Sequence, residues 1–378
     1  MIKIACVGDV MPAGVHHGKK DNYIKSDVLE FLKSFDIRVA TLECAIGDKP
    51  SFDPEKMVRK QDIVYAPTSD LYRVKEMGID VVSLANNHAF DLGEEGLINT
   101  CKQLDKLGIK YCGAGLNSEE ASRPAVVTFA GASIAFLAFC DWRMDTVGYV
   151  PFATENKAGM NEMREKNIKE SIEKNKSQYD HLFIFLHWGV EYSYFPTPSM
   201  KTLADKILNW GADGIIGGHT HRIQPLISSH NKFIYFSLGN FFFPNRYINK
   251  PRPTYYPSEG EDLSNCPYSY GWPYVSHPLL MKWRETENIG MIGCIEINDN
   301  VVCASYRLTK LCDNIIEGRI RKPFLFKISQ LMVGLPFYSF SYFLVRAIRS
   351  IYFRSKKMSR LIFRKELEQE IIYRNHEC

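Results

Sequence analysis

The chain has 378 residues, 45% hydrophobic and 24% charged, enough apolar material for one large or two smaller domains and too much for a disordered chain. Forty-seven basic residues meet forty-three acidic ones, but thirteen of the basic and only six of the acidic lie from Asp313 onward, leaving thirty-four against thirty-seven in residues 1–312. A mildly acidic body with a basic tail argues against nucleic acid as a partner and confines any anionic partner to the tail.

The first ten residues, MIKIACVGDV, enter a strand directly at Ile2–Val7 and show no secretory h-region. Ten cysteines include no C-x-x-C pair, and Cys6, Cys44, Cys140, Cys294 and Cys303 sit in or beside apolar runs. Reduced, buried thiols and a cytosolic body are the expectation. Further strands are expected at Arg38–Leu42, Asp80–Leu84, Ala125–Phe129, Ser133–Phe139, Leu182–His187, Gly214–Ile216, Pro225–Ile227, Phe233–Leu238, Met291–Ile297 and Val301–Leu308, most of them too short for helices and rich in β-branched or aromatic residues. A helix fits Glu94–Leu107, stopped by Gly108. A second follows Thr197 as N-cap and Pro198 at the first helical position, with an apolar stripe of Met200, Leu203, Ala204, Ile207 and Leu208 and a stop at Gly211. Strand–helix alternation followed by consecutive strands gives an α/β fold with a mixed sheet or two packed sheets. EINDNVV reads as the hairpin turn between the last two strands.

Two stretches depart from this pattern. Residues 244–278 hold seven prolines with Tyr247, Tyr255, Tyr256, Tyr268, Tyr270, Trp272 and Tyr274. They read either as a platform for sugar rings or a polymer chain, or as an irregular loop packed on its own aromatics. From Ile328 to Val345 there is an uncharged run, broken by Gly334 and Pro336, with Arg319, Arg321, Lys322 and Lys327 before it and Arg346, Arg349, Arg354, Lys356 and Lys357 after. It suits a segment lying in an anionic membrane surface better than a clean span; a C-terminal helix pair packed on the body is the alternative.

Residues able to bind metal recur where strands end: Asp9, Glu43, Asn86-Asn87-His88, His187, and His219 with His221. Ligands of open α/β sheets bind beyond the carboxyl ends of strands, so five such ends read as one site. Mixed imidazole and carboxylate donors favour Mn, Fe or Zn over Mg or Ca. Two such ions, roughly 3.5–4 Å apart, can clamp a phosphate and activate a water for in-line attack. Each residue also has a plain structural use. Asp91 with Glu94 fits a D-x-x-E helix cap, Asn86 suits a left-handed turn, and a single His187 after an apolar run is commonly a hydrogen-bonded core histidine.

The segments GDVM, ATLECAI, GIDVVSLANNHAFDLGEEGL, GAGLNSEEASRP, FLHWGVEY, LADKILNWGADGIIGGHTHRIQP and FIYFSLGNFFF occur in this order. From about Ile2 to Leu308 they resemble the CapA-type family of capsule (poly-γ-glutamate) biosynthesis proteins, a branch of the calcineurin-like metallophosphoesterases. The resemblance implies a four-layer α/β/β/α sandwich over residues 1–312; the apolar, basic tail over 313–378, expected to be helical from its own residues, is less like the family. It also implies a dinuclear Mn, Fe or Zn centre with Asp9, Glu43 as the bridging carboxylate, Asn87, His187, His219 and His221 as ligands, and His88 as catalytic acid. Asn86 then falls outside the ligand set, and Asp91 steadies the turn or caps the helix beside His88.

Two departures from the broader superfamily are visible. No histidine stands two residues after Asp9, where Met11 is found, and the second carboxylate is Glu43 rather than aspartate. Both are CapA-like. Glu191, Arg222 and Asn240 are the polar candidates for substrate contact, Arg222 either forking onto a phosphate or carboxylate or forming a salt bridge. The function expected is metal-dependent hydrolysis in cell-surface polymer synthesis, on the inner face of the cell membrane. Its partners would be an anionic polymer or its precursor and a membrane surface or membrane-bound synthesis partner. A non-catalytic polymer-guiding subunit and a small-molecule phosphoesterase are the alternatives.

Overall fold

A computed structural model describes residues 1–48, 63–141, 151–249, 254–258, 260–263, 265–270, 278–298, 301–318 and 320–347. Trp272, Tyr274 and the basic residues Arg319, Arg349, Arg354, Lys356 and Lys357 lie outside them. The chain divides into two compact units, Met1–Gln330 and Leu331–Cys378.

The first unit is a mixed α/β body with two main sheets. The larger has eight strands in the order Ile315–Gly318, Val301–Cys312, Ile289–Asn298, Ile2–Val10, Ile37–Leu42, Val81–Ser83 and Lys110–Cys112, with Asn240–Phe242 running parallel to the end of Ile2–Val10. Its strands from Ile2–Val10 to Lys110–Cys112 are parallel, and the other three add antiparallel. The smaller sheet has six strands in the order Leu226–Ser229, Lys232–Tyr235, Gly214–Gly218, His181–His187, Ala132–Cys140 and Ala125–Phe129, four parallel inside two antiparallel edges.

The inner strands read as continuous apolar runs because both faces are covered. All seven residues of His181–His187 are buried. Phe136, Phe183 and Phe233 cross the smaller sheet with ring centroids 5.8 and 5.5 Å apart, each ring contributing about 1.5–3 kcal/mol through burial. The two sheets touch directly: the Tyr235 hydroxyl donates to the carbonyls of Cys294 and Ser305 at 3.2 and 2.6 Å. Nine cysteines are free among the described residues, Cys6, Cys44, Cys112 and Cys140 buried.

The helices follow their sequence signals. Pro198–Trp210 starts at Thr197, whose side chain accepts the Met200 N–H, and ends at Gly211. Met200, Ala204 and Ile207 are its buried stripe; Leu203 and Leu208 are half-buried. Gly93–Leu107 ends on Gly108 in the left-handed region, but Leu92 precedes it and no side chain caps it. Asp91 is therefore not a helix cap. Its carboxylate is used elsewhere.

Described residues of the aromatic stretch, with Leu279–Lys282 just after it, form a four-stranded sheet of Thr254–Tyr255, Arg246–Ile248, Leu279–Lys282 and Tyr268–Tyr270. Its prolines bound short β-forming pieces rather than preventing pairing. The Tyr256 hydroxyl donates to Tyr65 O at 2.6 Å and its ring packs on the cluster of Ala45, Ile63, Tyr65 and Leu92. Tyr268 and Tyr270 are exposed. The expected last hairpin is present, Asn298 pairing Val301.

In the second unit, Leu335, Phe337, Phe340, Phe343 and Leu344 are exposed. Among the described residues no helix is long and apolar enough to cross a membrane.

Candidate metal centre

The parallel strands of both sheets deliver polar residues at their carboxyl ends. Asp9 stands near the end of Ile2–Val10, Glu43 follows Ile37–Leu42, and Asn86 to His88 follow Val81–Ser83. From the smaller sheet, His187 ends its strand, and His219 and His221 follow Gly214–Gly218. Three ends come from one sheet and two from the other, and they converge. Glu43, His187 and His219 present ligand atoms within 4.8 Å of one another, and so do Asp9, Glu43 and His221. Glu43 belongs to both groups, and all five residues are buried.

Tight backbone contacts set this convergence. Gly8 lies so close to Gly239 that a Cβ would fall 1.8 Å from its carbonyl oxygen; the next residue, Asp9, donates its N–H to that oxygen at 2.9 Å. A Cβ on Gly218 would lie 2.7 Å from Asp9 Oδ1. The GGHTH turn holds His219 at φ 84° and His221 at φ 51°, a left-handed placement that costs on the order of 1–3 kcal/mol per non-glycine residue and is typical of functional turns.

The ligand atoms form a chain. His187 Nε2 lies 2.7 Å from Asn87 Oδ1, 3.2 Å from His219 Nδ1 and 3.3 Å from Glu43 Oε1. His221 Nδ1 is 3.8 Å from both Asp9 Oδ2 and Glu43 Oε2, and 2.9 Å from Asn240 Oδ1. Asn240 in turn donates to Glu287 O at 3.1 Å, so it fixes the His221 ring. Asn86 donates to Leu42 O at 2.8 Å and accepts the His88 N–H at 2.9 Å; it shapes the turn.

His88 and Asp91 form a buried pair, Nδ1 to Oδ2 at 2.7 Å, and the same carboxylate oxygen accepts the Val64 N–H at 2.7 Å. With Asp91 Oδ2 as its acceptor, Nδ1 carries the proton of that hydrogen bond.

The electrostatics are those of a site built for positive charge. Burial first, then Glu43, hold the Asp9 carboxyl well above the usual range, against the His219 N–H that donates to it. Burial, then Glu191, raise Glu43, while Arg246 opposes. Burial and the neighbouring imidazoles push His219 and His221 well below the ordinary histidine value. Among the described residues Asp9 Oδ1, both Glu43 oxygens and His219 Nε2 have no hydrogen-bond partner. Buried polar atoms ordinarily find one, and a divalent cation would satisfy them together. The donor set fits such an ion.

The other candidates divide. Glu191 is half-buried and near enough to raise Glu43. Arg222 is engaged elsewhere: its guanidinium reaches Glu287 Oε1 at 2.6 and 3.1 Å and Thr286 Oγ1 at 2.9 Å, over the Tyr194 ring. That is a buried salt bridge made through Nε and Nη2. Sequence reading missed Trp283, whose ring lies 4.8 Å from His221, and Arg246, which is buried.

A mixed α/β body whose two sheets turn a buried set of carboxylates and imidazoles toward one place has the metallophosphoesterase-like arrangement. The family model "Bacterial capsule synthesis protein PGA_cap" matches residues 3–245, and the chain belongs to that family. It is 29% identical over 254 residues to "Capsule biosynthesis protein CapA" of Bacillus anthracis, covering 64% of this chain and 60% of that protein. It is 31% identical over 171 residues to "PGA biosynthesis protein CapA" of Bacillus subtilis, covering 45% and 44%. A probable polyglutamine synthesis accessory protein of Mycobacterium tuberculosis is 25% identical over 167 residues, covering 42% and 44%. The chain thus spans 60% or less of each relative's own length.

Proposed function

We propose that this chain is a metal-dependent hydrolase of capsule or other cell-surface polymer biosynthesis, with a dinuclear Mn, Fe or Zn centre on Asp9, Glu43, Asn87, His187, His219 and His221. The observation that carries this reading is Glu43: one buried carboxylate shared by two ligand groups, with neither oxygen hydrogen-bonded. That is the placement a bridging ligand needs. Direct contact between the two sheets through Tyr235 supports the four-layer sandwich to which such centres belong.

Bound metal would supply Lewis acidity and a water of lowered pKa for attack on an ester, phosphoester or amide-like linkage. The chain's own residues do the rest. Asp91 holds the Nδ1 side of His88, so Nε2 hands a proton to the leaving group. Asn240 fixes His221, and Tyr192, stacked on His221 with centroids 6.0 Å apart, shields that ring.

The test is turnover by metal-loaded protein on poly-γ-glutamate and on a chromogenic phosphodiester. Metal-dependent cleavage that falls about 10²–10⁴-fold in His88→Ala supports the reading; full turnover in both His88→Ala and His219→Ala would overturn it. Met11, fully buried where the wider superfamily places a histidine, favours a second reading, a polymer-guiding subunit. That reading predicts binding of the polymer with no cleavage under any metal.

A peripheral place on the inner face of the membrane, next to a membrane-bound synthesis partner, is supported by the exposed Leu335, Phe337, Phe340 and Phe343 close to Arg346. Co-sedimentation with anionic but not neutral vesicles would be the signature. Equal pelleting with both, or pelleting with neither, would remove it.

A further inference from the structure

The helix Phe324–Met332 carries Ser329 and Gln330 side by side in an otherwise apolar stretch. Neither side chain is spent locally. A helical serine ordinarily bonds back to the carbonyl four residues earlier or faces water. Ser329 is instead fully buried, and its Oγ donates to Tyr194 O at 2.6 Å, 135 residues away in sequence. The Gln330 amide takes both backbone polar groups of Leu226: the Leu226 N–H donates to Oε1 at 3.0 Å, and Nε2 donates to Leu226 O at 2.7 Å. Leu226 begins the edge strand Leu226–Ser229 of the smaller sheet, so the amide pairs with that edge as a further strand would. Phe326, one turn earlier on the same face, is fully buried and edge-on to Tyr306 with ring centroids 5.9 Å apart. Phe324 and Leu325 are exposed.

Tyr194 lies in the loop between the strand His181–His187 and the helix Pro198–Trp210, and this loop runs beside the metal centre. Tyr192 donates its N–H to Thr220 O at 2.8 Å and stacks on His221 with centroids 6.0 Å apart. Glu191 is near enough to raise Glu43. Gln224 Nε2 donates to Ser193 O at 2.9 Å, and the Arg222 guanidinium carbon lies 5.0 Å from the Tyr194 ring. The turn that carries His219 and His221 thus pins the loop on one side, and Ser329 pins it on the other. Tyr192 sits at φ 62°, a conformation that persists in a non-glycine residue only where the surroundings over-determine it. One of those fastenings comes from a helix outside residues 3–245, the segment matched to the family.

We infer that Ser329 is a positioning residue of the metal centre: through Tyr194 O it sets the loop that lays Tyr192 on His221 and brings Glu191 toward Glu43. This rests on the proposed centre and adds to it a means by which the chain beyond the family segment controls it. Gln330 and Phe326 hold the helix on the body, and Ser329 transmits that hold to the loop.

The test combines hydrogen–deuterium exchange of the full-length, metal-free protein with Mn affinity measured by competition against a chelating dye. Ser329→Ala should speed exchange in residues 189–197 about threefold to tenfold, the worth of one buried hydrogen bond. Exchange in residues 226–229 should stay at the wild-type rate, because Gln330 still holds the helix. Mn binding should weaken about threefold or more although Ser329 touches no ligand. Phe324→Ser, on the exposed side of the same helix, should leave both readouts at wild type. Unchanged exchange at 189–197, or a loosened loop with wild-type Mn affinity, would overturn the inference. So would equal acceleration at 189–197 and 226–229, which would mean that the helix had simply come away. Failure of the wild-type protein to bind Mn would strike the proposed centre itself. Residues 218–222, to which Tyr192 is bonded, would then decide the role of Ser329: faster exchange in Ser329→Ala would support it and an unchanged rate would overturn it.

Discussion

Glu43→Gln should change the sign of its effect on stability with the presence of metal. The substitution keeps size and shape but removes the charge. Glu43 is fully buried with no hydrogen bond to either oxygen among the described residues, and burial raises its pKa well above the ordinary 4.5. A raised carboxyl means that the folded chain holds a proton the unfolded chain has lost. Its stability contribution is whole below the ordinary value and is lost as pH rises toward the folded value. Gln carries no such loss, so in chelator the variant should match the wild type near pH 4 and be at least as stable at pH 7.5.

With metal the order reverses. A ligand at about a hundred times its Kd stabilises by about 2.7 kcal/mol, and losing the shared carboxylate should forfeit most of that. For a unit of residues 1–330, an unfolding entropy of about 2.1 cal/mol/K per residue turns this into a drop of about 4 °C in Tm. Scanning calorimetry of both proteins, in chelator and in excess Mn or Zn, reads the effect directly. An equal drop for the variant with and without metal would refute the reasoning, because Glu43 would then be a packing residue only.

Three other substitutions separate the parts. Asp91→Asn should retain metal while turnover falls about 10²–10⁴-fold, since the carboxylate 2.7 Å from His88 Nδ1 loses the charge that supports the imidazolium; kinetics beside metal analysis check this. Gly218→Ala places a Cβ 2.7 Å from Asp9 Oδ1, so metal affinity measured by competition with a chelating dye should fall about tenfold or more through the displaced ligand. Arg222→Met leaves Glu287 buried and unpaired. It should cost about 3 kcal/mol in denaturant unfolding with metal content unchanged.

Much of the scaffold was legible because local chemistry and tertiary packing agree. Thr197, Pro198 and Gly211 mark a helix by capping and backbone preference alone, and the structure follows them. The converging site was legible for a different reason: parallel strands end on one side, so polar residues at strand ends accumulate there. Asp91 shows the limit. D-x-x-E spacing fits a cap, but the helix begins after Leu92 and the carboxylate goes to His88 and Val64 N, twenty-seven residues away in sequence. Arg222 could not be placed from sequence, since Glu287 claims it through a contact sixty-five residues distant. The small sheet at Arg246–Ile248 was hidden because prolines break its strands into lengths of two to four residues, below the reach of periodicity.

The most direct measurement is metal content by plasma mass spectrometry on the purified protein, after exposure to Mn, Fe or Zn and removal of loose ions, beside His219→Ala. The account predicts about two equivalents in the wild type and a clear loss in the variant. Absence of bound metal from the wild type after each ion has been supplied would contradict it.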